Sequence, residues 1–430
     1  MATTALSQAY PLGTQVNERG HLEVGGCDVV ELAERYGTPA YIYAEDDIRA
    51  RARAYVEAFS ARTDDFEVIY ASKALPITAA YAVMAEEGLS VDVASGGELY
   101  LALKGGVPPE RIFMHGNNKS ADELTLAFDV GIGYLVLDSF TEIELAEQLL
   151  ADAGRAQPAL IRVTPGIKPS THSYIQTGQL DSKFGFGLED GLALEAIRRV
   201  RDSERLELVG LHAHIGSQIF ELEPYAKTIQ LLADFVDAGG FGCRLLNVGG
   251  GLGIAYTSED EPASIEDYAD VKVRGVRQTF DPVPRILVEP GRSLVGNAGL
   301  TVYRIGTIKE IPGVRTYVSV DGGMSDNLRP MLYSARYEAA IADRPDAPAT
   351  HLSTVAGKHC ESGDILIRDV ALPDPRPGDL LVTPATGAYG YAMANNYNGV
   401  PRPPVIFCKE GRERVVVRRE TYEDLAARDG

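Results

Sequence analysis

The chain has 430 residues, and 61 acidic against 41 basic side chains leave a formal net charge of −20, which argues against nucleic acid or an anionic membrane as partner because both need a basic face. At 45% hydrophobic and 24% charged residues it has the composition of a soluble globular protein, long enough for two domains. Its four scattered cysteines (Cys27, Cys243, Cys360, Cys408) form no CxxC pair, so they suggest a reducing compartment and neither a disulfide frame nor a zinc site.

Met1 to Gly13 lacks the basic start and apolar core of a signal peptide, and no run approaches a membrane span, so a cytoplasmic protein is expected. Short strand pieces come first, Leu22–Val24 and Ala40–Ala44. Eight nearly continuous apolar runs follow: Phe66–Ala71, Ser90–Ala94, Arg111–His115, Tyr134–Leu137, Ala159–Val163, Leu208–His214, Leu245–Val248 and Ile286–Glu289. Strands apolar along their whole length are buried on both faces. Helical patterns such as Ala121–Val130, Thr141–Ala153 and Pro224–Ala238 separate them, and this alternation predicts an α/β fold, a TIM-type (β/α)8 barrel over a doubly wound sheet. Lys73, Asp92, His115, Arg162, His214, the glycines at 249–251 and Glu289 fall at or just past strand C-terminal ends, the rim on which barrel enzymes build their sites.

From about residue 298 strand-like pieces such as Leu300–Ile305, Thr316–Val320, Asp379–Thr383, Val405–Cys408 and Arg414–Arg418 are joined by Gly/Pro-rich turns. They predict a second, β-rich domain of sandwich or barrel-like type, which the first forty or so residues join. The expected bounds are 38–297 for the barrel, with 1–37 and 298–430 in the β-rich domain. Within it, Gly357-Lys358-His359-Cys360-Glu361-Ser362-Gly363-Asp364 crowds a thiol, two carboxylates and two basic groups into a loop between the apolar runs Thr354–Ala356 and Ile365–Ile367. Polar residues this dense on a rigid frame mark a site.

Four constellations carry chemistry. In Tyr70-Ala71-Ser72-Lys73-Ala74 a lysine directly follows a buried strand, and reads either as a solvated helix-start lysine or as a Schiff-base lysine whose pKa burial lowers. The glycines of Asn247-Val248-Gly249-Gly250-Gly251-Leu252-Gly253 let backbone N–H groups approach a phosphate, or make a tight strand–helix turn; neither the dinucleotide nor the Walker pattern fits. In His212-Ala213-His214-Ile215-Gly216-Ser217-Gln218 the two histidines share a strand face and could bind a metal, but the other five supply no second paired motif. A histidine stacked on a planar cofactor, with Ser217 at its phosphate, fits better beside a Gly-rich turn, and His212 suits packing. In Val288-Glu289-Pro290-Gly291-Arg292-Ser293 a buried carboxylate needs a cation, either Arg292 or a protonated pyridine nitrogen. Together these are the needs of pyridoxal phosphate. No metal is assigned.

Over essentially its whole length the chain resembles the barrel-fold pyridoxal-phosphate-dependent decarboxylases, most closely the branch acting on diaminopimelate. Tyr70–Lys73, His214–Gln218, Gly249–Gly253, Glu289–Arg292, Asp321–Asp326, Gly357–Asp364 and Gly387–Tyr389 carry the likeness. The resemblance implies Lys73 as the cofactor-bearing lysine, His214 on the ring and Glu289 at the pyridine nitrogen. It implies Ser217, Gly249, Gly250 and Gly251 around the phosphate, with Pro290, Gly291, Arg292 and Tyr389 also at the cofactor. Arg292, Arg329, Tyr333 and Tyr389 match substrate-binding positions, Glu361 a reader of the distal ammonium, and Cys360 the donor that protonates the decarboxylated carbon. It further implies a homodimer in which Cys360 reaches the partner's cofactor, and a mobile lid over Pro165–Gly185 carrying His172 and Lys183. The reaction so implied converts meso-2,6-diaminopimelate to L-lysine and CO2. Decarboxylation of ornithine, arginine or carboxynorspermidine on the same fold, a cofactor-binding homologue without turnover, and a metal hydrolase are the alternatives.

Overall fold

The computed structural model describes residues 6–152, 154–167 and 182–430. His172 and most of the expected lid lie outside the described residues. The chain divides into two compact units, Arg51–Gly253 with Pro262–Gly291, and Met1–Ala50 with Ile254–Glu261 and Arg292–Gly430.

The first long strand, β1 (Ala40–Ala44), is fully buried and belongs to the second unit. It is followed by β2 (Phe66–Ala71), β3 (Ser90–Val93), β4 (Ile112–Met114), β5 (Tyr134–Leu137), β6 (Gln157–Thr164), β7 (Leu206–His212), β8 (Leu245–Asn247) and β9 (Arg285–Val288). Among the described residues these eight parallel strands close into the expected barrel. β9 pairs with β2 through Ile286↔Phe66 and Val288↔Val68, and β5 pairs with β6 through Leu135↔Ala159. Their centre is apolar, with Ile69, Phe113, Val136, Leu160, Val209 and Leu287 packed in one cluster. Each such side chain contributes about 1.5–3 kcal/mol by leaving water. The helices between strands start where a serine supplies the missing acceptor: Ser95, Ser120, Ser139 and Ser264 each accept from the backbone N–H three residues on. With the helices on the outside, every strand end opens on the same rim.

The second unit is built on β10 (Gly299–Ile311), β11 (Arg315–Val320), β12 (His351–Ala356), β13 (Ile365–Leu372), β14 (Leu380–Thr383), β15 (Val405–Lys409) and β16 (Arg412–Val417). They form a mixed sheet in the order β13-β12-β11-β10-β1-β15-β16, with β14 also on β10. Because β1 runs antiparallel to β10 (Gly299↔Tyr43, Val302↔Ala40) and parallel to β15, the barrel start expected at residue 38 moves to about 51. The physical reason is pairing: an apolar run reads alike in either sheet, and its partner strands lie more than 250 residues away in sequence. Two apolar clusters fill this unit, one around Leu22, Ile42, Val302 and Ile406, the other around Tyr303, Val318, Val355 and Leu366. Among the described residues no helix is long and apolar enough to cross a membrane.

Candidate active site

Glu289 immediately follows β9 and is buried in the barrel mouth. Its Oε1 accepts a hydrogen bond from Asn247 Nδ2 at 2.7 Å, and its Oε2 lies 3.0 Å from His212 Nε2. His115 Nε2 approaches Oε1 to 2.9 Å without the alignment of a hydrogen bond. Burial opposes ionisation, but His115 and His212 outweigh it and hold the carboxyl well below its usual range. Burial also pushes His212 down to about 4, so this imidazole is neutral and its role toward Glu289 at neutral pH is that of a hydrogen-bond donor. Asp92, on β3, accepts from Ser72 N at 3.0 Å, and burial followed by the nearby Glu289 raises it to about 7. His115, His212 and Glu289 have the residue types of a three-ligand metal set, yet the His212–Glu289 and Asn247–Glu289 contacts already occupy the carboxylate.

The glycine turn follows β8. A Cβ on Gly250 would stand 1.9 Å from Glu289 O, so only glycine lets this backbone cross the β9 end. Gly250 N donates to His214 Nδ1 at 3.2 Å, which leaves the ring proton on Nε2, and burial holds this imidazole well below its ordinary pKa. Lys73 lies in a short 3₁₀ turn, Ser72–Ala74, directly after β2. It is exposed, and its charge acts on Asp92 and on His214 at the barrel mouth. Ser217 is half-buried and directly follows Gly216, which stands at φ 149°. Pro290 accepts from Ala71 N at 3.0 Å, and a Cβ on Gly291 would meet Ala71 O at 2.9 Å. These two residues therefore knit the β9 end to the strand bearing Lys73.

In the second unit the residues expected at the substrate fall into two groups. Arg292 and Arg329 are both buried and share Tyr256: Arg292 donates to its hydroxyl, and the Arg329 guanidinium lies 4.4 Å from its ring centre. Arg329 Nη1 donates to Tyr337 Oη at 2.6 Å, while its Nε is buried with no partner in the chain. Among the described residues no carboxylate pairs with Arg329, and an anion is what such a group calls for. The Arg292 guanidinium lies 4.8 Å from the Tyr389 ring, and Tyr389 itself holds the left-handed backbone (φ 63°), strain of the kind kept at functional positions. Tyr333 ends the short helix Arg329–Tyr333 and is half-buried.

The second group is the loop between β12 and β13. Asp364 anchors it by accepting from His359 N at 2.9 Å and Met324 N at 2.7 Å. His359 Nε2 lies 2.8 Å from Ser325 Oγ, and Cys360 N donates to Asn398 Oδ1 at 3.0 Å. So pinned, the loop leaves Cys360 and Glu361 exposed.

The barrel mouth fits pyridoxal phosphate on its own chemistry: an exposed amine, a pinned carboxylate for the ring nitrogen and a glycine turn for the phosphate. His115 Nε2 and Tyr225 Oη are buried there without a hydrogen-bond partner in the chain, and Tyr225 Oη lies 3.1 Å from where a Cβ of Gly251 would stand. Buried polar atoms of this kind are satisfied by a ligand or by water. Asn247, Tyr256 and Tyr337 were not singled out from the sequence. Asn247 could have been, since a polar residue closing a buried strand beside a buried acid is a partner in waiting.

Residues 45–296 match the pyridoxal-binding domain of the pyridoxal-dependent decarboxylase family. The chain is 50% identical over 422 residues to the diaminopimelate decarboxylase of Bacillus subtilis, covering 96% of each chain. It is similar to the structure of diaminopimelate decarboxylase from M. jannaschii in co-complex with L-lysine, with a TM-score of 0.91, 34% identity and 97% of each chain covered. The Helicobacter pylori diaminopimelate decarboxylase complexed with L-lysine matches at TM-score 0.86 and 34% identity, over 93% of this chain and 98% of that one.

Proposed function

The chain belongs to the diaminopimelate decarboxylase family of pyridoxal-dependent decarboxylases, and from that membership we propose that it converts meso-2,6-diaminopimelate to L-lysine and CO2, the last step of lysine biosynthesis. The observation that carries the reading is Glu289, a buried carboxylate kept ionised by three neighbours at a barrel mouth that also offers an exposed lysine and a glycine turn. Pyridoxal phosphate, when bound, supplies a protonated ring that accepts the electron pair released as the carboxylate leaves.

Lys73 is the amine that would hold the cofactor covalently. Glu289 keeps a proton at the ring nitrogen, and Asn247 and His212 keep Glu289 aimed. His214 packs on the ring as a neutral imidazole, Ser217 and Gly249–Gly251 take the phosphate, and Pro290 and Gly291 shape the adjoining turn. Arg292 and Arg329 hold carboxylates through their paired N–H donors, with Tyr333 and Tyr389 beside them. Two buried arginines suit a substrate with a carboxylate at each end better than ornithine or arginine, which have one. Glu361 reads the distal ammonium. Cys360 would give its thiol proton to the carbon that lost CO2 and be reprotonated from solvent.

The exposure of Cys360 and Glu361 on a firmly anchored loop supports a homodimer in which that loop completes the partner's site. The reading places the enzyme in the cytoplasm. In D2O the lysine formed is expected to carry one non-exchangeable deuterium, on the carbon that lost its carboxylate, read by mass spectrometry. Lysine without carbon-bound deuterium, or no lysine at all, would overturn the reading.

A further inference from the structure

Among the described residues of the barrel unit, Lys272 is the one lysine that the proposed chemistry does not use and that is buried completely. It sits in α2 (Ile265–Thr279), one turn after Tyr268, so both side chains leave the same face of the helix. Tyr225 comes from α1 (Glu223–Gly239). The Lys272 ammonium lies 4.4 Å from the Tyr268 ring centre and 4.6 Å from that of Tyr225. Among the described residues no carboxylate pairs with it. Its hydrogen bonds go instead to two carbonyls of the glycine turn, Val248 O at 2.7 Å and Gly249 O at 2.9 Å. Tyr268 Oη adds a third donor, 3.1 Å from Gly249 O.

The geometry has two consequences. In a trans peptide the N–H points opposite to the C=O. Drawing the carbonyls of residues 248 and 249 toward α2 therefore turns the N–H groups of Gly249 and Gly250 the other way. Gly249 N duly donates to Asn247 Oδ1 at 3.0 Å, and Gly250 N to His214 Nδ1 at 3.2 Å. One lysine thus sets the orientation of the turn and, through a single peptide, the tautomer of His214. The second consequence is electrostatic. Burial pushes the Lys272 ammonium well below its ordinary pKa, and two aromatic faces, two carbonyls and the charge of Glu289 nearby offset only part of that cost. A phosphate dianion held at the far side of the same turn would supply the missing anion.

We propose that Lys272 is a positioning residue for the cofactor phosphate, fixing the Gly249–Gly251 turn from beneath and matching the phosphate charge through it. The proposal rests on the reading of the barrel mouth as a pyridoxal phosphate site. It separates from a scaffolding role because the charge acts on the phosphate and on Glu289, of which only the phosphate differs between cofactor forms, whereas a misshapen turn harms every form.

The test strips the cofactor from wild type and from Lys272→Met and titrates each with pyridoxal phosphate, unphosphorylated pyridoxal and inorganic phosphate, following visible absorbance and thermal unfolding. Wild type is expected to prefer the phosphorylated cofactor and to gain thermal stability from inorganic phosphate. Lys272→Met is expected to lose about tenfold or more of that preference, with pyridoxal affinity unchanged and the stabilisation by phosphate diminished. A preference equal to wild type, or an equal loss for both cofactor forms, overturns the proposal. Should Lys272→Met not fold, Lys272→Gln, which keeps amide donors for the carbonyls and removes the charge, is read by the same two outcomes. A wild-type protein that takes up no pyridoxal phosphate would instead overturn the proposed function.

Discussion

Lys73→Ala is expected to abolish the visible absorbance of the cofactor-loaded enzyme and to lower turnover by roughly 10⁴-fold or more, as loss of a covalent catalytic group does. The side chain is exposed at the end of β2, so its removal leaves no cavity, and the fold should unfold at the wild-type temperature. A surviving band would remove the lysine from its assigned role. The same variant probes the dimer. Cys360→Ala also loses the proton donor, but in a mixed dimer the intact lysine of one subunit can meet the intact thiol of the other. Random exchange makes half the dimers mixed, each with one complete site of two, so activity is expected to recover to roughly a quarter of wild type. No recovery despite demonstrated exchange would place the thiol at its own subunit's cofactor.

Glu289→Gln should be nearly as severe. The amide is isosteric but uncharged, so it can no longer hold a proton at the ring nitrogen, and its NH2 group must face one of the donors that now serve the carboxylate, Asn247 Nδ2 at 2.7 Å or His212 at 3.0 Å. Losing one preorganised electrostatic group of this kind costs about 10²–10³ in kcat. The lysine-linked band should persist, because Lys73 and the glycine turn are untouched. Near-normal kcat would show that ring-nitrogen protonation does not depend on this residue.

Much of this was legible because barrels write their sites at strand ends. Eight apolar runs became eight strands with ends shifted by a residue or two, and Asp92, His115, Arg162 and Glu289 lie within two residues of a strand's C-terminal end. The same logic left Lys73 open between a solvated and a buried lysine, because adjacency to a buried strand says nothing about burial once a 3₁₀ turn intervenes. Ala40–Ala44 was expected to join the β-rich domain and pairs there with β10 and β15, although the bound drawn at residue 38 cut it off, because an apolar run carries no record of its partners. Tyr256 and Tyr337, which flank Arg329, are separated from each other by 81 residues of chain, and no local pattern links them. Lys272 did leave a trace. With Tyr268 four residues before it and Val276 four after, it stands on the apolar face of an amphipathic helix, where a lysine is an exception that needs a reason.

The most direct measurement is CO2 release by the cofactor-loaded enzyme from meso-diaminopimelate set against its L,L isomer, lysine, ornithine and arginine. The two buried arginines and Glu361 together predict rapid release from the meso form and little from any other. Equal or greater release from ornithine or arginine, or none from the meso form, would contradict the account.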